Sequence, residues 1–543
     1  MGFAEYIPNT IASSTWDWKV RRIPVDATRA KVRKGGLGQK LIANTFFNFL
    51  GQFYTLLLGI AVVPYVVHRL GAEPYGFIAV VAALGGFAGL LNMGMDRALS
   101  KYISELYWQE ELARIRSLFQ TAISVSATAG ATAGLLLIAF RGPLSAALFH
   151  GDPSTERFVT FAIFVTGFGV LLSVLTESLS ALPLALQRFD IYNRMNILLA
   201  TLRSLGAVVV LALGLFVRAV LLVYLISSLI GVAGYAYYNH KLIPGLTLRP
   251  KFAWPDFRLL FGFCTSVLVA GVGGLVVHRL DRLLVAYFLP VAAVAFYVIP
   301  YSLAEKAPLI VGNITSVIFP SASELSAREA HEKLRELYVR ATKMTLLAGL
   351  PVTVILLAVP DQLLHYWVGA EFAARGSLTL QLLVAGFFFN ILARVPYTVA
   401  QGIGRPWISA NYALLNGVAN LVLFLLLIPR YGIVGAGAGF LISEILVMPV
   451  FIWEVNRRLG VSWWQLISGA YVRPLACGVG AMVLALLLRA WVVSLGGLAL
   501  VCAATLGAYA LAAFFAGIDS RERIGIYSHV FQILRSPERP ADV

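Results

Sequence analysis

Long apolar stretches, separated by short polar connections, recur along nearly the whole chain. Each stretch holds about 20 residues, the length at which an α-helix crosses a hydrocarbon core of about 30 Å. A transmembrane β-barrel would instead show alternating segments of about 10 residues. The pattern therefore predicts an all-α polytopic membrane protein with about 14 transmembrane helices. The predicted spans are 42–67, 76–95, 118–140, 158–182, 195–216, 219–238, 259–289, 291–320, 342–364, 377–399, 407–428, 433–455, 471–493 and 497–517.

The charge distribution supports the same count. Of the 543 residues, 59% are hydrophobic and 13% are charged, whereas charged residues make up about 25% of a typical soluble protein. The net charge of +16 would suggest nucleic acid in a soluble protein. Here most Lys and Arg residues fall in the tails and in alternate connections, so the sequence predicts no nucleic-acid partner. The positive-inside rule places both termini in the cytoplasm, which requires an even number of spans.

A repeated pattern divides the spans into groups. A long span, a small turn and an aromatic residue that opens the next span occur together at Tyr75 and again at Tyr297. This predicts two six-span halves followed by two more spans, an organisation that places the substrate site of secondary transporters between the halves. The predicted parts are a basic cytoplasmic tail (1–41), an N-terminal six-helix bundle (42–238), a cytoplasmic linker (239–258), a C-terminal six-helix bundle (259–455), helices 13 and 14 (456–518) and a cytoplasmic tail (519–543).

Ionisable residues in spans 7 and 8 are the first candidates for function, because a charge at mid-bilayer is costly unless it faces protein or water. Arg279, Asp281 and Arg282 lie near the outer end of span 7. They contact outer headgroups or form the wall of a water-filled cavity, and the seven non-polar residues that follow favour the cavity. Glu305 and Lys306 fall near the centre of span 8, where an aqueous cavity would solvate both. Separate structural ion pairs are the alternative.

Four other charges lie within predicted spans. Glu177 and Arg394 are near the inner ends of spans 4 and 10, where they reach the headgroups or belong to a site. Arg203 in span 5 and Glu444 in span 12 are candidates for pairing between helices.

Span 1 carries a polar stripe. Asn44, Asn48, Gln52 and Thr55 are spaced at i, i+4, i+8 and i+11, which places them on one helical face. Such groups form interhelical hydrogen bonds or line a cavity, and the length of the stripe favours the cavity. Amides and hydroxyls suit sugar hydroxyls, while Arg and Lys suit phosphates. The set of residues therefore favours a glycan-phosphate ligand over a hydrophobic drug.

The sequence predicts a transporter rather than an enzyme. It contains no HExxH, P-loop, ABC signature or paired-carboxylate motif. Its three cysteines lie in apolar runs without ligand-like spacing. We therefore expect no catalytic residues, no metal and no bound cofactor.

Three motifs identify a family. The stretches HRLGAEPYG after span 1, IFPSASEL at the end of span 8 and LIPRYGIVGAGAG at 427–439 resemble the polysaccharide transporter family. Its members are Wzx-type oligosaccharide flippases of the multidrug/oligosaccharidyl-lipid/polysaccharide exporter superfamily. The resemblance covers roughly residues 40–520.

The resemblance implies a fold and a function. Two six-helix bundles would surround a central cavity, and polyprenyl-(pyro)phosphate-linked oligosaccharide would move from the inner to the outer leaflet of the cytoplasmic membrane by alternating access. This step serves cell-surface polysaccharide export, such as O-antigen or exopolysaccharide. Basic residues on helices 1, 2, 7 and 8 of the family contact the substrate, and Arg279, Arg282 and Lys306 match that assignment. Span 2 departs from it, since Arg97 at its inner end is its one cation.

The substrate-binding candidates are thus Arg279, Arg282, Lys306, Asn44, Asn48 and Gln52, with Arg394 and Arg203 as secondary candidates. Coupling to an H⁺ or Na⁺ gradient is also implied, and the sequence does not rank the possible carriers Asp281, Glu305, Glu177 and Glu444. Expected partners are the lipid-linked glycan, membrane lipids, a polysaccharide polymerase and glycosyltransferases.

Three other functions compete with this one. A lipid II flippase would share the fold and the mechanism. A cation-coupled multidrug antiporter should have about twelve spans and acidic sites in an apolar cavity. A membrane glycosyltransferase needs acidic residues on sizeable outer loops, which this sequence lacks.

Overall fold

The computed structural model describes residues 37–86, 94–148, 153–247, 249, 251–519 and 523. Within these ranges, side chains are described except at 37–50, 148, 153–155, 265–279, 310, 313–314 and 316–317. Most of both predicted tails therefore lies outside the described residues. All regular secondary structure in the described ranges is helical.

The helices follow the apolar stretches closely. They are α1 (Leu37–Leu70), α2 (Ala72–Gly86), α3 (Met95–Trp108), α4 (Leu112–Ala139), α5 (Arg141–Leu148), α6 (Pro153–Ala185), α7 (Phe189–Ala212), α8 (Val217–Leu242), α9 (Trp254–Phe288), α10 (Val291–Ala304), α11 (Lys306–Ala327), α12 (His331–Ala358), α13 (Pro360–Val368), α14 (Ala370–Gly402), α15 (Pro406–Leu459), α16 (Trp463–Leu466), α17 (Val472–Leu488) and α18 (Leu495–Ala512). A π-helical turn, Ile467–Tyr471, joins α16 to α17, and another, Ala513–Gly517, ends α18.

Ten helical segments of the described chain are long and apolar enough to cross a membrane. They are Gly51–Leu70, Leu112–Ala139, Glu156–Ala185, Phe189–Ala212, Val217–Leu242, His331–Ala358, Ala370–Gly402, Pro406–Leu459, Trp463–Trp491 and Leu495–Gly517. The predicted all-helical polytopic fold is therefore confirmed. The total of fourteen spans remains a prediction.

The longest helix, α15, is a hairpin of two arms. Its 54 residues change direction at Gly432, where φ is 61° and ψ is −140°. That positive φ favours glycine because it has no Cβ. A Cβ at Gly435 would lie 2.2 Å from the carbonyl oxygen of Leu427, so the arms pack backbone to backbone beside the turn. The arms correspond to predicted spans 11 and 12.

Predicted span 8 is two helices rather than one. Helix α10 ends at Ala304, and α11 begins at Lys306. Pro308 lacks the N–H that would bond to the Ala304 carbonyl, and its ring would clash with that carbonyl in a continuous helix. The break therefore falls at Glu305 and Lys306.

The two predicted halves pack together at one side of the protein. Outer and inner denote the sides that the distribution of Lys and Arg assigns, and this contact lies on the outer side. A single buried cluster joins Val67 and Phe77 of the first half to Val285, Val294 and Tyr297 of the second. Burial of such side chains contributes about 25 cal/mol per Å² of apolar surface. The outer side is therefore closed by ordinary core packing.

A proline supplies a hydrogen-bond acceptor to this closure. Pro64 lies inside α1 and has no N–H, so the carbonyl of Ile60 loses its helical donor. The indole Nε1 of Trp367 on α13 donates to that carbonyl at 2.8 Å. A defect in one half is thus satisfied by the other half.

The C-terminal helices are fastened to α12. Lys343 is almost fully buried and donates to Asp519 at 2.6 Å, and Arg473 also pairs with this carboxylate. The hydrogen bond from Lys343 lowers the pKa of Asp519 below its usual range, with Arg473 adding to the effect. Tyr509 donates to the Leu347 carbonyl at 3.0 Å. These contacts hold the last two spans against the second half.

Substitution of Trp367 tests the closure. Trp367→Phe removes the donor of an exposed hydrogen bond to the Ile60 carbonyl, which should weaken the outer contact by about 0.5–1.5 kcal/mol. In a Pro64→Ala background the helix provides its own donor, so the same substitution should have a smaller effect. Spin labels on Glu73 and Glu371, at exposed positions of the two halves, report the separation by pulsed EPR. If Trp367→Phe broadened the distance distribution between the two labels equally with Pro64 in place and in the Pro64→Ala background, this account would be contradicted.

Gly76 provides a second test, because a Cβ there would lie 2.2 Å from the carbonyl oxygen of Val291 on α10. Gly76→Ala should push α2 away from α10, lengthen the same label distance and lower the melting temperature in detergent. Gly59→Ala is the matched control, since a Cβ at Gly59 meets nothing within 4 Å. A control that disturbs the outer side as much as Gly76→Ala would rule out the close-packing explanation.

Candidate functional site

A polar cavity of about 540 Å³ lies between α1, α6 and α7 in the first half. Its polar lining consists of Gln52, Thr55, Ser173, Thr176, Glu177, Tyr192, Asn193, Asn196 and Arg203. The hydroxyl of Tyr54 and Oγ1 of Thr201 are 2.8 Å apart and connect α1 to α7 beside this cavity.

Three sequence candidates meet in this cavity. Gln52, Glu177 and Arg203 come from three helices, and all three are exposed to the open space. Asn48 and Asn44 lie about one and two helical turns before Gln52 on α1, respectively, but their side chains are outside the described residues. The stripe on span 1 therefore leads into the cavity at Gln52 and Thr55.

Arg203 is deep in the membrane-spanning part of α7. It lies 14 residues after Phe189, about 21 Å along the helix axis. Its guanidinium makes no hydrogen bond or ion pair with the described part of the chain, and its electrostatic neighbour is Tyr224. Pairing between helices, the role suggested by the sequence, is thus not what this geometry favours.

Asp281 occupies a different environment at the outer end of α9. It is fully buried, and its Oδ2 accepts a hydrogen bond of 2.7 Å from the Tyr297 hydroxyl. Its Oδ1 accepts the backbone N–H of Arg282 at 2.8 Å. These donors stabilise a carboxylate that joins α9 to α10, which favours a structural role.

Arg282 forms no ion pair with any described residue, although the Asp281 carboxylate is within electrostatic range. Its guanidinium stacks 4.9 Å from the centroid of the Tyr301 ring, a cation–π contact. Its Nε atom is buried without a hydrogen-bond partner. Tyr75 of the first half is within electrostatic range, so Arg282 lies where the halves meet. The side chain of Arg279 is outside the described residues.

Glu305 and Lys306 pair with each other at the break between α10 and α11. Nζ of Lys306 lies 3.2 Å from Oε1 of Glu305, and the two side chains are 34% and 39% exposed, respectively. Neighbours in a continuous helix would point about 100° apart. The two long side chains nevertheless reach each other, so the structure forms an ion pair that neither sequence alternative included.

Glu444 is the centre of a buried network in the second half. It is fully buried, and its carboxylate accepts hydrogen bonds from Tyr412 at 2.9 Å, Asn416 at 3.1 Å and Asn390 at 3.2 Å. Asn420 donates in turn to Asn416. The network ties α14 to both arms of α15, which matches the pairing role that the sequence suggested for Glu444.

Arg394 lies beside this network but is exposed. Its guanidinium makes no hydrogen bond or ion pair with the described residues, although Tyr412, Tyr397 and Glu444 are electrostatic neighbours. It belongs to a polar stripe formed by Asn390, Arg394, Thr398 and Gln401. The spacing is i, i+4, i+8 and i+11, as in span 1, and a search for that spacing would have found it.

The described residues contain no group of three or more His, Cys, Asp or Glu side chains that could hold a metal ion. What they do contain is three arginines at membrane depth, Arg203, Arg282 and Arg394, whose guanidinium groups form no hydrogen bond with the described chain. Asn193 and Asn196 of the cavity were not among the sequence candidates. They share the face of α7 that carries Arg203.

Comparisons with known proteins show which fold and which family this chain resembles. A Shigella flexneri protein named as a candidate O-antigen transporter is 25% identical over 426 residues, which cover 78% of this chain and 99% of that protein. The fold matches an inward closed structure of the lipid II flippase MurJ, with a TM-score of 0.64, 14% identity and coverage of 86% and 98%. An inward-facing multidrug transporter of the MATE family also gives 0.64, at 14% identity and with coverage of 76% and 94%.

The family is settled by a match that extends over more than half of the chain. Residues 67–375 match the family model described as polysaccharide biosynthesis protein. This match confirms the resemblance that the motifs indicated, and this membrane protein belongs to the polysaccharide biosynthesis protein family.

Proposed function

We propose that this protein is a flippase that moves a polyprenyl-(pyro)phosphate-linked oligosaccharide from the inner to the outer leaflet of the cytoplasmic membrane. Its family and its similarity to a candidate O-antigen transporter support a lipid-linked glycan as cargo. The fold that it shares with a lipid II flippase supports movement of the cargo between two helical halves. Both termini would be cytoplasmic, and the glycosyltransferases and polymerase of the same glycan would act before and after it.

The observation that carries this proposal is the set of three arginines, Arg203, Arg282 and Arg394, whose guanidinium groups form no hydrogen bond with any described residue. A guanidinium at membrane depth is stable only beside water, a counter-charge or a ligand. Phosphate is the ligand that a planar guanidinium binds best, through paired hydrogen bonds. Arg282 lies between the halves, so it is the residue that we assign to the pyrophosphate.

The closed outer side supports loading from the inner side. The buried cluster and the bond between Trp367 and Ile60 seal the outer contact between the halves. Substrate would therefore enter from the inner leaflet in this state. Opening of the outer contact would then release it to the outer leaflet, as alternating access requires.

Gradient coupling is assigned to Glu305. Asp281 and Glu444 are fully buried and saturated with hydrogen bonds, whereas Glu305 is partly exposed and holds Lys306. A bound phosphate and the Glu305 carboxylate would compete for Lys306. A proton or a sodium ion on Glu305 would free Lys306 for the phosphate, which links ion binding to substrate binding.

Removal of the Arg282 charge tests the phosphate assignment. A hydrogen bond to a charged group contributes about 1.5–3 kcal/mol, so Arg282→Gln should slow flipping at least about tenfold. The assay uses proteoliposomes that contain a fluorescent polyprenyl-pyrophosphate oligosaccharide and dithionite as the quencher of exposed label. Arg328→Gln is the control, because Arg328 is exposed and pairs with Glu324 at 2.7 Å. Normal flipping by Arg282→Gln would refute the assignment, and ethidium transport would favour a drug antiporter.

Neutralisation of Glu305 tests the coupling. Glu305→Gln frees Lys306 permanently, so we expect flipping to continue while its rate no longer responds to an imposed proton or sodium gradient. Glu324→Gln on the same helix should keep the full response, since Glu324 is exposed and paired only with Arg328 among the described residues. An unchanged gradient response in Glu305→Gln would mean that another carboxylate binds the coupling ion.

A further inference from the structure

The cavity between α1, α6 and α7 is lined by residues of the first half, and neither Arg282 nor Lys306 of the second half belongs to its lining. We propose that it is a saccharide subsite that binds a sugar unit bearing a carboxylate, such as a hexuronic acid. This inference rests on the proposed flippase function and adds the chemical class of one sugar in its cargo.

The size and lining of the cavity suit a sugar. Its volume of about 540 Å³ lies within the range of about 300–1,000 Å³ found for small-molecule sites. Phe189 and Tyr192 provide flat apolar surface, which can pack against the C–H face of a sugar ring. The surrounding amides and hydroxyls both donate and accept hydrogen bonds, as sugar hydroxyls do.

Several of these polar groups are free to bind a ligand. The side chains of Gln52, Asn196 and Arg203 form no hydrogen bond with the part of the chain that is described. Glu177 brings a carboxylate, which accepts hydrogen bonds from neighbouring hydroxyls. Gln52, Asn196 and Arg203 thus form no hydrogen bond with one another across the helices, which favours a ligand over an interhelical role.

The charges discriminate between possible ligands. Among the described lining residues, Arg203 and Glu177 are the two ionisable groups of opposite charge type. A pyrophosphate carries several negative charges, and Glu177 would repel it. A single carboxylate needs only the guanidinium of Arg203, with which it forms two parallel hydrogen bonds. Glu177 then binds hydroxyls of the same or the next sugar.

The position of the cavity fits an elongated cargo. Its lining belongs to α1, α6 and α7, whereas Arg282 and Lys306 belong to α9 and α11. A lipid-linked oligosaccharide has its phosphates at one end of the glycan and its sugars beyond them. The first half would therefore bind the sugar while the second half binds the phosphate.

Direct binding tests the subsite. Tetragalacturonate and a neutral galactose tetrasaccharide are titrated by calorimetry into the full-length protein in nanodiscs. The acidic probe should bind more tightly to the wild type, and Arg203→Gln should weaken it at least about tenfold, the loss expected for a paired charge. The neutral probe should change little. Arg188→Gln is the matched control, since Arg188 is an arginine outside the cavity that pairs with Asp190 at 2.9 Å.

Two further variants keep the test decisive if Arg203→Gln does not fold. Arg203→Lys retains the charge but loses the paired geometry, so it should bind the acidic probe with intermediate affinity. Asn196→Asp adds a second carboxylate and should weaken only the acidic probe. Equal binding of both probes by the wild type, no binding of either, or no effect of these substitutions would overturn the subsite.

Binding of farnesyl pyrophosphate distinguishes a failure of this inference from a failure of the proposed function. Its binding should be lost in Arg282→Gln and retained in Arg203→Gln. Equal loss in both variants would make Arg203 part of the phosphate site and overturn the saccharide assignment. A wild type that binds tetragalacturonate but neither binds farnesyl pyrophosphate nor flips lipid would refute the flippase and leave the acidic-sugar site supported.

Discussion

An arginine inside a bilayer must be surrounded by groups that replace its water, and this constraint organises the structure. The buried acids Asp281 and Glu444 receive donors from Tyr297 and from Tyr412, Asn390 and Asn416, so the protein satisfies them internally. The membrane-depth arginines receive no comparable acceptors from the described residues. Asp281 and Glu444 are thus hydrogen-bonded within the protein, whereas the guanidinium groups of these arginines can bind an anionic cargo.

Interruptions of helices create both the site and its closure. Pro308 interrupts the helix after Ala304, and the ion pair between Glu305 and Lys306 lies at this break. Pro64 frees a carbonyl on α1, and Trp367 of the other half binds it. Each defect would destabilise an isolated helix. In the assembled protein it becomes a contact that a conformational change can make or break.

Much of the fold followed from the sequence because hydrophobic length and motif residues are local properties. The turn at Pro290 and the hairpin at 427–439 were predicted from a few adjacent residues, and the structure has both. The site was predicted less completely. Gln52 was identified from its helical face, but Asn196 was missed because its neighbours on α1 and α6 are distant in sequence.

The sequence by itself determined that this is a helical membrane protein of the polysaccharide biosynthesis protein family, with ionisable residues inside its apolar stretches. Apolar length and residue spacing encode these features within single helices. Only the tertiary structure decided which charges are satisfied, since that depends on partners from other helices. Glu444 accepts hydrogen bonds from three side chains, Lys306 pairs with Glu305 at a helix break, and Arg203 faces an open cavity. The difference arises because hydrogen bonds and solvation are decided by packing between segments, which no single span specifies.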